Sequence, residues 1–275
     1  MIDDLQETAV IPTLNTQWIG KTYIYLNEVD STNEFLKVRV AEGNVPAGTV
    51  VATDFQSRGK GRLQRRWEAL PGTSLLLSLL FKPDWPAEQA NWLTMITSVA
   101  MAEAGEGETA VPVRIKWPND LVIKVEDVWH KVGGLLLEGD VGADGRIRSV
   151  VLGIGLNVNI PPEQLPTGAT PPTSLLAVLG RPVSRQALLV DFLQRVEMGV
   201  ATAVSGQSPQ AVWQKRLITL GQPVQVTHTG TNQAVSGVAE GADAFGHLLV
   251  RDGAGRLHTV TAGDVTLRQP KRQFF

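Results

Sequence analysis

Residues 56–67 read QSRGKGRLQRRW and place five basic side chains and two glycines within one short segment. Glycine lets backbone N–H groups approach an anion closely, and guanidinium groups bind phosphate oxygens through two parallel hydrogen bonds. The segment matches neither a P-loop nor a GxGxxG dinucleotide motif. It therefore predicts a loop for a nucleotide or an acyl-phosphate; a solvated basic loop or a weak RNA contact is the alternative.

The rest of the composition is that of an ordinary globular protein. The chain has 275 residues, of which 43% are hydrophobic and 19% charged, with a net charge of −2 and no cysteine. The net charge argues against general affinity for nucleic acid, and the absence of cysteine excludes disulfides and thiolate metal sites. The start is acidic and no apolar run has the length of a membrane span. We expect a cytoplasmic protein without a membrane partner.

Hydrophobic periodicity on either side of the basic segment predicts an α+β domain. Residues 1–20 show no strong periodicity and are interpreted as a leader, too short for a DNA-binding helix-turn-helix domain. Ser31 and Glu34 fit a capping box at a helix start. Strands are predicted at 21–29, 49–55, 73–81, 113–117, 121–124, 131–138 and 149–159, and helices at 31–41, 86–104, 184–204 and 209–220.

The last part of the chain changes character. Short strands at 223–228, 235–240, 247–251 and 257–261 alternate with glycine-containing turns. This spacing is typical of a small SH3-like β-barrel. We therefore predict three parts: the leader, a mixed-sheet domain at 21–219 and an SH3-like domain at 220–275.

Four further segments combine polar groups with turns or glycines, and each has an ordinary structural interpretation. Ser31-Thr32-Asn33 is either a helix cap or a ligand site at a helix N-terminus. Residues 116–120 (KWPND) form a predicted hairpin turn. Lys131, ahead of Gly133-Gly134, is either held beside a ligand or blunts a sheet edge. The glycines of residues 153–157 (GIGLN) are candidates for making room for a ligand, and the four histidines have no metal-ligand spacing.

Taken in order from Tyr23 to Arg268, these segments resemble the biotin protein ligase family. The resemblance implies a class II synthetase-like catalytic domain and a two-step reaction. Biotin and Mg²⁺-ATP give biotinyl-5′-AMP and pyrophosphate, and a lysine of the biotin carboxyl carrier protein of acetyl-CoA carboxylase then displaces AMP. It implies no permanently bound cofactor and, because members of the bifunctional type carry an additional N-terminal domain, no specific DNA partner here.

The resemblance also implies roles for individual residues. Lys131 and Arg62 are the expected catalytic residues, and Asp120 is a candidate metal contact through Mg²⁺-ATP, the metal site being otherwise unassigned. Biotin is expected to contact Ser31, Thr32, Asn33, Gln56, Gly59, Lys60, Gly61, Arg62, Lys131 and Gly134. The nucleotide is expected to contact Arg65, Trp67, Lys116, Asn119, Asp120, Asn157 and Arg268.

The chain departs from the family pattern at three positions of the basic segment. Lys60 replaces an arginine, so the positive charge is kept but the pair of parallel hydrogen bonds that a guanidinium group can form is lost. Leu63 occupies a position where arginine is common, and Gln64 occupies a position where a glycine is expected. Two other functions stay open. A lipoate protein ligase would carry an RRxSGGG-type segment that this chain lacks, and a non-catalytic biotin-sensing or nucleic-acid-binding module would show no catalysis.

Overall fold

A seven-stranded mixed sheet forms the platform of the molecule. The computed structural model describes residues 5–168, 170–228 and 234–267. The strands of the sheet are β1 (Tyr23–Val29), β2 (Val50–Gln56), β3 (Ser74–Phe81), β4 (Val113–Lys116), β5 (Asp120–Val125), β6 (Val128–Val141) and β7 (Ile147–Asn157). Their order is β1-β2-β3-β7-β6-β5-β4, with β1 and β2 parallel and the other neighbours antiparallel. The predicted α+β fold with a mixed sheet is confirmed.

Helices cover both faces of this sheet, and its inner strand β3 is buried on both sides. The helices are α1 (Glu7–Val10), α2 (Thr32–Glu42), α3 (Ala90–Thr109), α4 (Leu175–Leu179), α5 (Arg185–Val204) and α6 (Gln210–Gln214). Alternate residues of a strand point to opposite faces. Leu77 and Leu79 of β3 join the main core with α3 and α5, whereas Leu80 packs against Leu36 of α2 in a separate cluster. None of the helices in the described ranges is long and apolar enough to span a membrane.

The segment interpreted as a leader packs into the main core over its described residues. Leu5 and Val10 are buried there. Glu197 of α5 fastens the segment, because its carboxylate accepts the backbone N–H groups of residues 17, 18 and 19 at 2.6, 2.9 and 3.0 Å. Partial burial opposes ionisation, but these hydrogen bonds outweigh it and lower the pKa of Glu197. The segment is thus part of the folded domain.

The C-terminal part is a five-stranded antiparallel sheet. Its strands are β8 (Pro223–His228), β9 (Ala234–Ala242), β10 (Leu248–Asp252), β11 (Leu257–Val260) and β12 (Gly263–Leu267), in the order β11-β10-β9-β8-β12. The arrangement is consistent with the predicted SH3-like fold, with β11 and β12 as the outer strands of the described sheet. The sequence prediction missed β12, because its short run includes a glycine and an aspartate that are typical of turns.

Two tryptophan side chains of the first domain, one on α3 and one after β4, bond the C-terminal part. Nε1 of Trp117 donates to the carbonyl of Gly246 at 2.9 Å, and Nε1 of Trp92 donates to the carbonyl of Ala244 at 2.8 Å. Apolar residues of the second sheet, such as Val226, belong to the same core cluster as the first sheet. The second sheet is therefore firmly docked, and β12 lies next to the basic segment.

The predicted helix at 209–220 is wrong beyond its first turns. Helix α6 ends at Gln214. The following residues pair with the edge strand β4 instead: Ile115 donates its N–H to the carbonyl of Arg216 at 3.0 Å and accepts from the N–H of Ile218 at 2.9 Å. The unsatisfied hydrogen-bonding groups of an edge strand thus override a local helical pattern.

Candidate active site

One cleft of about 950 Å³ crosses β7 and β6 from the N-terminus of α2 and gathers most of the predicted site residues. The register sets Gly134 of β6 beside Gly155 of β7 in its floor. Gly59 lies outside the lining, under the backbone of Trp67, and Arg268 lies outside the described residues. The predicted residues that line the cleft are Ser31, Thr32, Asn33, Gln56, Lys60, Gly61, Arg62, Arg65, Trp67, Lys116, Asn119, Asp120, Lys131, Gly134 and Asn157.

The end of the cleft at α2 is polar and buried. Ser31, Thr32 and Asn33 are each 2–3% exposed. Oε1 of Gln56 accepts the backbone N–H of Thr32 at 2.8 Å, and the hydroxyl of Thr32 lies 3.1 Å from the same oxygen. Ser78 Oγ lies 2.7 Å from Thr32 Oγ1 and donates to Asn33 Oδ1 at 2.5 Å. This end of the cleft suits a compact ligand with several hydrogen-bonding groups.

The predicted capping box at α2 is wrong. Ser31 makes no side-chain cap hydrogen bond, and Glu34 instead pairs with Lys37 and Lys60, each at 2.6 Å. The side chain of Gln56 caps the helix, because the parallel pairing of β1 and β2 brings the end of β2 beside the start of α2. The hydroxyl of Ser31 is then free within the described part of the chain to serve the cleft.

The glycines of the GIGLN segment make room for side chains of the protein rather than directly for a ligand. A Cβ on Gly153 would overlap the carboxamide of Asn33, and a Cβ on Gly155 would overlap the ring of Trp67. Both neighbours line the cleft. The glycines therefore act by letting these two side chains lie flat on the sheet.

Lys131 lies in the middle of the cleft. Its Nζ is 2.6 Å from Oδ1 of Asp120 and 5.7 Å from the ring centroid of Trp67. Strand β6 lies between β5 and β7, and the backbone of Lys131 also pairs with residues 171–173. The interpretation of Lys131 as an edge lysine is therefore wrong, and the ammonium group is held in place by a carboxylate and an aromatic face.

The basic segment, residues 56–67, closes one side of the cleft and contacts the second sheet. Arg62 Nη1 lies 3.3 Å from Asn119 Oδ1 and 3.4 Å from the carbonyl of Gly263. Arg65 forms an ion pair with Asp264 of β12. Burial lowers the pKa of Arg62, although it stays a cation at neutral pH. Both arginines are thus held where an anion in the cleft would meet them.

The departures at Leu63 and Gln64 coincide with an uncommon backbone shape. Their φ angles are +56° and +60°. Left-handed backbone costs a residue with a Cβ about 1–2 kcal/mol, a cost that glycine does not carry. A glycine at position 64 would therefore fit this segment better than the glutamine that is present.

The hairpin formed by β4 and β5 supplies the other end of the cleft. Its Trp117–Pro118 peptide bond is cis, and Asn119 hydrogen-bonds the backbone of Leu135 through its backbone carbonyl and its side-chain amide. Nζ of Lys116 donates to Thr170 Oγ1 at 3.0 Å, and burial lowers its pKa. The predicted turn at 118–120 thus also places the side chains of Lys116 and Asp120 in the lining of the cleft.

Asn157 carries an unused oxygen at this end. Its Nδ2 donates to the carbonyl of Thr173 at 3.0 Å, whereas its buried Oδ1 has no hydrogen-bond partner among the described residues. No group of three or more His, Asp or Glu side chains in the described ranges has the geometry of a resident metal site. Together with Asp120, Asn157 offers oxygen atoms of the kind that bind a hydrated divalent cation carried by phosphates.

Three residues near the site were not anticipated from the sequence. Ser78 is the polar residue in the apolar stretch 75–81, and a hydroxyl flanked by leucines indicates a buried polar group. Glu138 ends the apolar run 135–137 and bonds Asn33. Asp264 lies on the strand that was missed, so no sequence signal linked it to the cleft.

Comparison with known proteins agrees with this geometry. The biotin/lipoate A/B protein ligase family matches residues 25–157, and the biotin protein ligase C-terminal domain matches residues 219–268. Bifunctional ligase/repressor BirA of Bacillus subtilis is 30% identical over 267 residues, 96% of this chain and 79% of that protein. Biotin–[acetyl-CoA-carboxylase] ligase of Mycobacterium tuberculosis is 32% identical over 244 residues, 86% of each chain. The biotin protein ligase of Aquifex aeolicus in complex with biotin and ATP superposes with a TM-score of 0.72 at 28% identity, covering 91% of this chain and 100% of that one.

Proposed function

The chain belongs to the biotin protein ligase family, and from that premise we propose that it is an ATP-dependent biotin ligase. It forms biotinyl-5′-AMP and transfers biotin to a lysine of the biotin carboxyl carrier protein of acetyl-CoA carboxylase. The observation that carries the proposal is a single cleft with buried hydrogen-bonding groups at one end and cationic groups further along. Such a cleft suits a polar ring joined by an apolar chain to a carboxylate.

In this proposal the biotin head group occupies the end of the cleft at α2. The ureido ring has two N–H donors and one carbonyl acceptor. Ser31 and Thr32 carry hydroxyl groups there, Asn33 and Gln56 carry carboxamides, and all four line the cleft. Gly134 leaves the floor low beside Lys131, so that the valerate chain can pass across the sheet toward that lysine.

Adenylation requires the biotin carboxylate to attack the α-phosphorus of ATP. A bond forms between a carboxylate oxygen and the α-phosphorus, the bond between the α-phosphorus and the oxygen that bridges it to the β-phosphorus breaks, and pyrophosphate leaves. Negative charge grows on the phosphoryl oxygens in the transition state, and fixed cations at that point lower the barrier. Lys131 and Arg62 are the residues to which we assign this role. Lys60, Gly59 and Gly61 complete the segment over the acyl-phosphate.

The nucleotide end of the cleft supplies further contacts in this proposal. Trp67 provides an aromatic surface, and Lys116 and Arg65 provide positive charge near the phosphates. Asn119, Asp120 and Asn157 offer oxygen atoms toward the magnesium ion that enters as Mg²⁺-ATP; bound there, the ion would neutralise phosphate charge and favour departure of pyrophosphate. We also assign Arg268 to this end on the family resemblance alone.

Transfer completes the reaction. The neutral amine of the acceptor lysine attacks the carbonyl carbon of the mixed anhydride, an amide bond forms, and AMP leaves with the bonding electron pair while the amine loses a proton. We place the reaction in the cytoplasm, where ATP is available. We propose no specific DNA partner, since the net charge of −2 gives no general attraction to a polyanion.

Incorporation of labelled pyrophosphate into ATP tests the proposed function. We expect the purified protein to catalyse exchange when biotin is present and none when biotin is omitted, because biotin supplies the attacking carboxylate. Addition of a biotin carboxyl carrier domain should then give a mass increase on its acceptor lysine. Biotin binding without exchange would favour the non-catalytic sensing module, and exchange independent of biotin would contradict the assignment of substrate.

The strained backbone at Gln64 leads to a prediction about the adenylate. We expect Gln64→Gly to slow release of biotinyl-5′-AMP by about three- to tenfold, because glycine removes the left-handed cost but adds entropy to open forms of the segment. Release is measured by dilution of a preformed complex. Biotin affinity without ATP should change little.

Gln64→Ala is the matched control for this prediction. Alanine removes the glutamine side chain but keeps a Cβ, and hence the backbone strain, so release should stay within about twofold of the original protein. Equal or faster release from the Gln64→Gly variant would show that backbone strain at position 64 does not limit how long the adenylate is held.

A further inference from the structure

We propose that Glu138 is a positioning residue that sets the orientation of the Asn33 carboxamide and thereby the affinity for biotin. The inference rests on the proposed function and adds to it a residue outside the cleft. Oε2 of Glu138 accepts a hydrogen bond from Nδ2 of Asn33 at 2.8 Å. Asn33 lines the cleft whereas Glu138 does not. Glu138 therefore acts through Asn33 and not by touching the ligand.

The chemistry of the two partners of Asn33 decides which end of its amide faces which way. An ionised carboxylate only accepts hydrogen bonds, so it must meet the NH₂ end of the amide. At the other end, Ser78 Oγ donates to Oδ1 of Asn33 at 2.5 Å. Oδ1 then keeps a second lone pair with which to accept an N–H of the ligand.

Packing limits the other hydrogen bonds that the carboxamide of Asn33 could form. Asn33 is 3% exposed, and its carboxamide lies flat on Gly153, where any Cβ would overlap it. Its Nδ2 is also 3.4 Å from the carbonyl of Leu136. Rotation by half a turn is the remaining freedom, and it would exchange an acceptor for a donor at the same place.

A chain of charges keeps Glu138 available for this role. Lys37 Nζ lies 2.7 Å from Oε1 of Glu138 and 2.6 Å from Glu34, and Lys60 lies 2.6 Å from the same Glu34 oxygen. Partial burial would lower the pKa of Lys37, but its hydrogen bonds to Glu138 and Glu34 outweigh this and raise it. The ammonium group of Lys37 thus stays charged and occupies Oε1 of Glu138, which leaves Oε2 to accept the hydrogen bond from Asn33.

Glu138→Gln tests the inference, because Lys37 donates to one oxygen of residue 138, so a glutamine keeps its oxygen toward Lys37 and turns its NH₂ end toward Asn33, which favours the reversed orientation of that amide. We expect the Kd for biotin, measured by titration calorimetry without ATP, to rise about tenfold, since biotin binds only the fraction of molecules in which Oδ1 of Asn33 faces the cleft. The KM for ATP should stay unchanged. The matched control is Glu42→Gln, which removes the same charge from an exposed pair with Arg39 on α2 and should bind biotin normally.

A double-mutant cycle separates this role from a merely structural one. In an Asn33→Ala background the amide is gone, so the Glu138→Gln change should no longer affect the Kd for biotin. A full effect that persists in this background would overturn the inference, as would an unchanged Kd in the Glu138→Gln variant. If the original protein itself fails to bind biotin in the same titration, the proposed function fails instead.

Discussion

Lipoate should support pyrophosphate exchange with a kcat/KM about 10⁴-fold below that of biotin. Both substrates are carboxylates on a chain of similar length, so the cationic part of the cleft does not separate them. The dithiolane ring of lipoate, however, has no N–H and no carbonyl. The difference in rate must therefore arise at the end of the cleft near α2.

The buried polar groups there are the physical reason for the size of the effect. Thr32 and Asn33 are 3% exposed and Ser31 is 2% exposed, so water has little access to them once the cleft is filled. A ligand without hydrogen-bonding groups leaves them unpaired, and each buried unpaired group costs about 1–3 kcal/mol. Several such groups together account for four powers of ten in rate.

Exchange measured over a range of substrate concentrations checks this prediction. Desthiobiotin is the matched control substrate, because it keeps the ureido ring and lacks the sulfur atom, and we expect it to retain exchange. Comparable exchange with lipoate and biotin would reject the biotin assignment and favour the lipoate ligase alternative.

Lys131→Ala should reduce the rate of adenylate formation by about 10²–10³-fold, the usual loss when one preorganised group facing transition-state charge is removed. Lys131 is held by Asp120 at 2.6 Å and lies over Trp67, so its ammonium group needs little reorganisation. The pair with Asp120 is partly exposed, at 32% and 21%, and its loss should cost only about 1 kcal/mol of stability.

Single-turnover formation of biotinyl-5′-AMP measures this effect, and thermal unfolding of the same variant measures its stability. The matched control is Lys124→Ala on the neighbouring strand β5. It removes the same charge from a pair with Asp127 that is 49% and 93% exposed, and it should leave the rate unchanged. An unchanged rate in the Lys131→Ala variant would leave this lysine with a structural role.

The sequence by itself determined the mixed-sheet fold, the approximate position of most strands and most of the predicted residues that line the cleft. Hydrophobic alternation identified strands that are covered on one face, and a continuous apolar run identified β3, which is buried at every position because both of its faces are covered. The ordered polar and glycine-containing segments identified Lys131, Asn119 and the α2 start, all of which line the cleft.

Only the tertiary structure decided how these groups are partnered. Gln56 caps α2 in place of Ser31, Glu138 accepts a hydrogen bond from Asn33, and Asp264 forms an ion pair with Arg65. The two members of each pair come from different segments of the chain. Residues 216–218 likewise have a sequence pattern that predicts a helix, but in the structure they pair with β4. Local pattern reports which surface a segment must bury, whereas a buried polar group takes whichever partner the packed chain brings within hydrogen-bond distance.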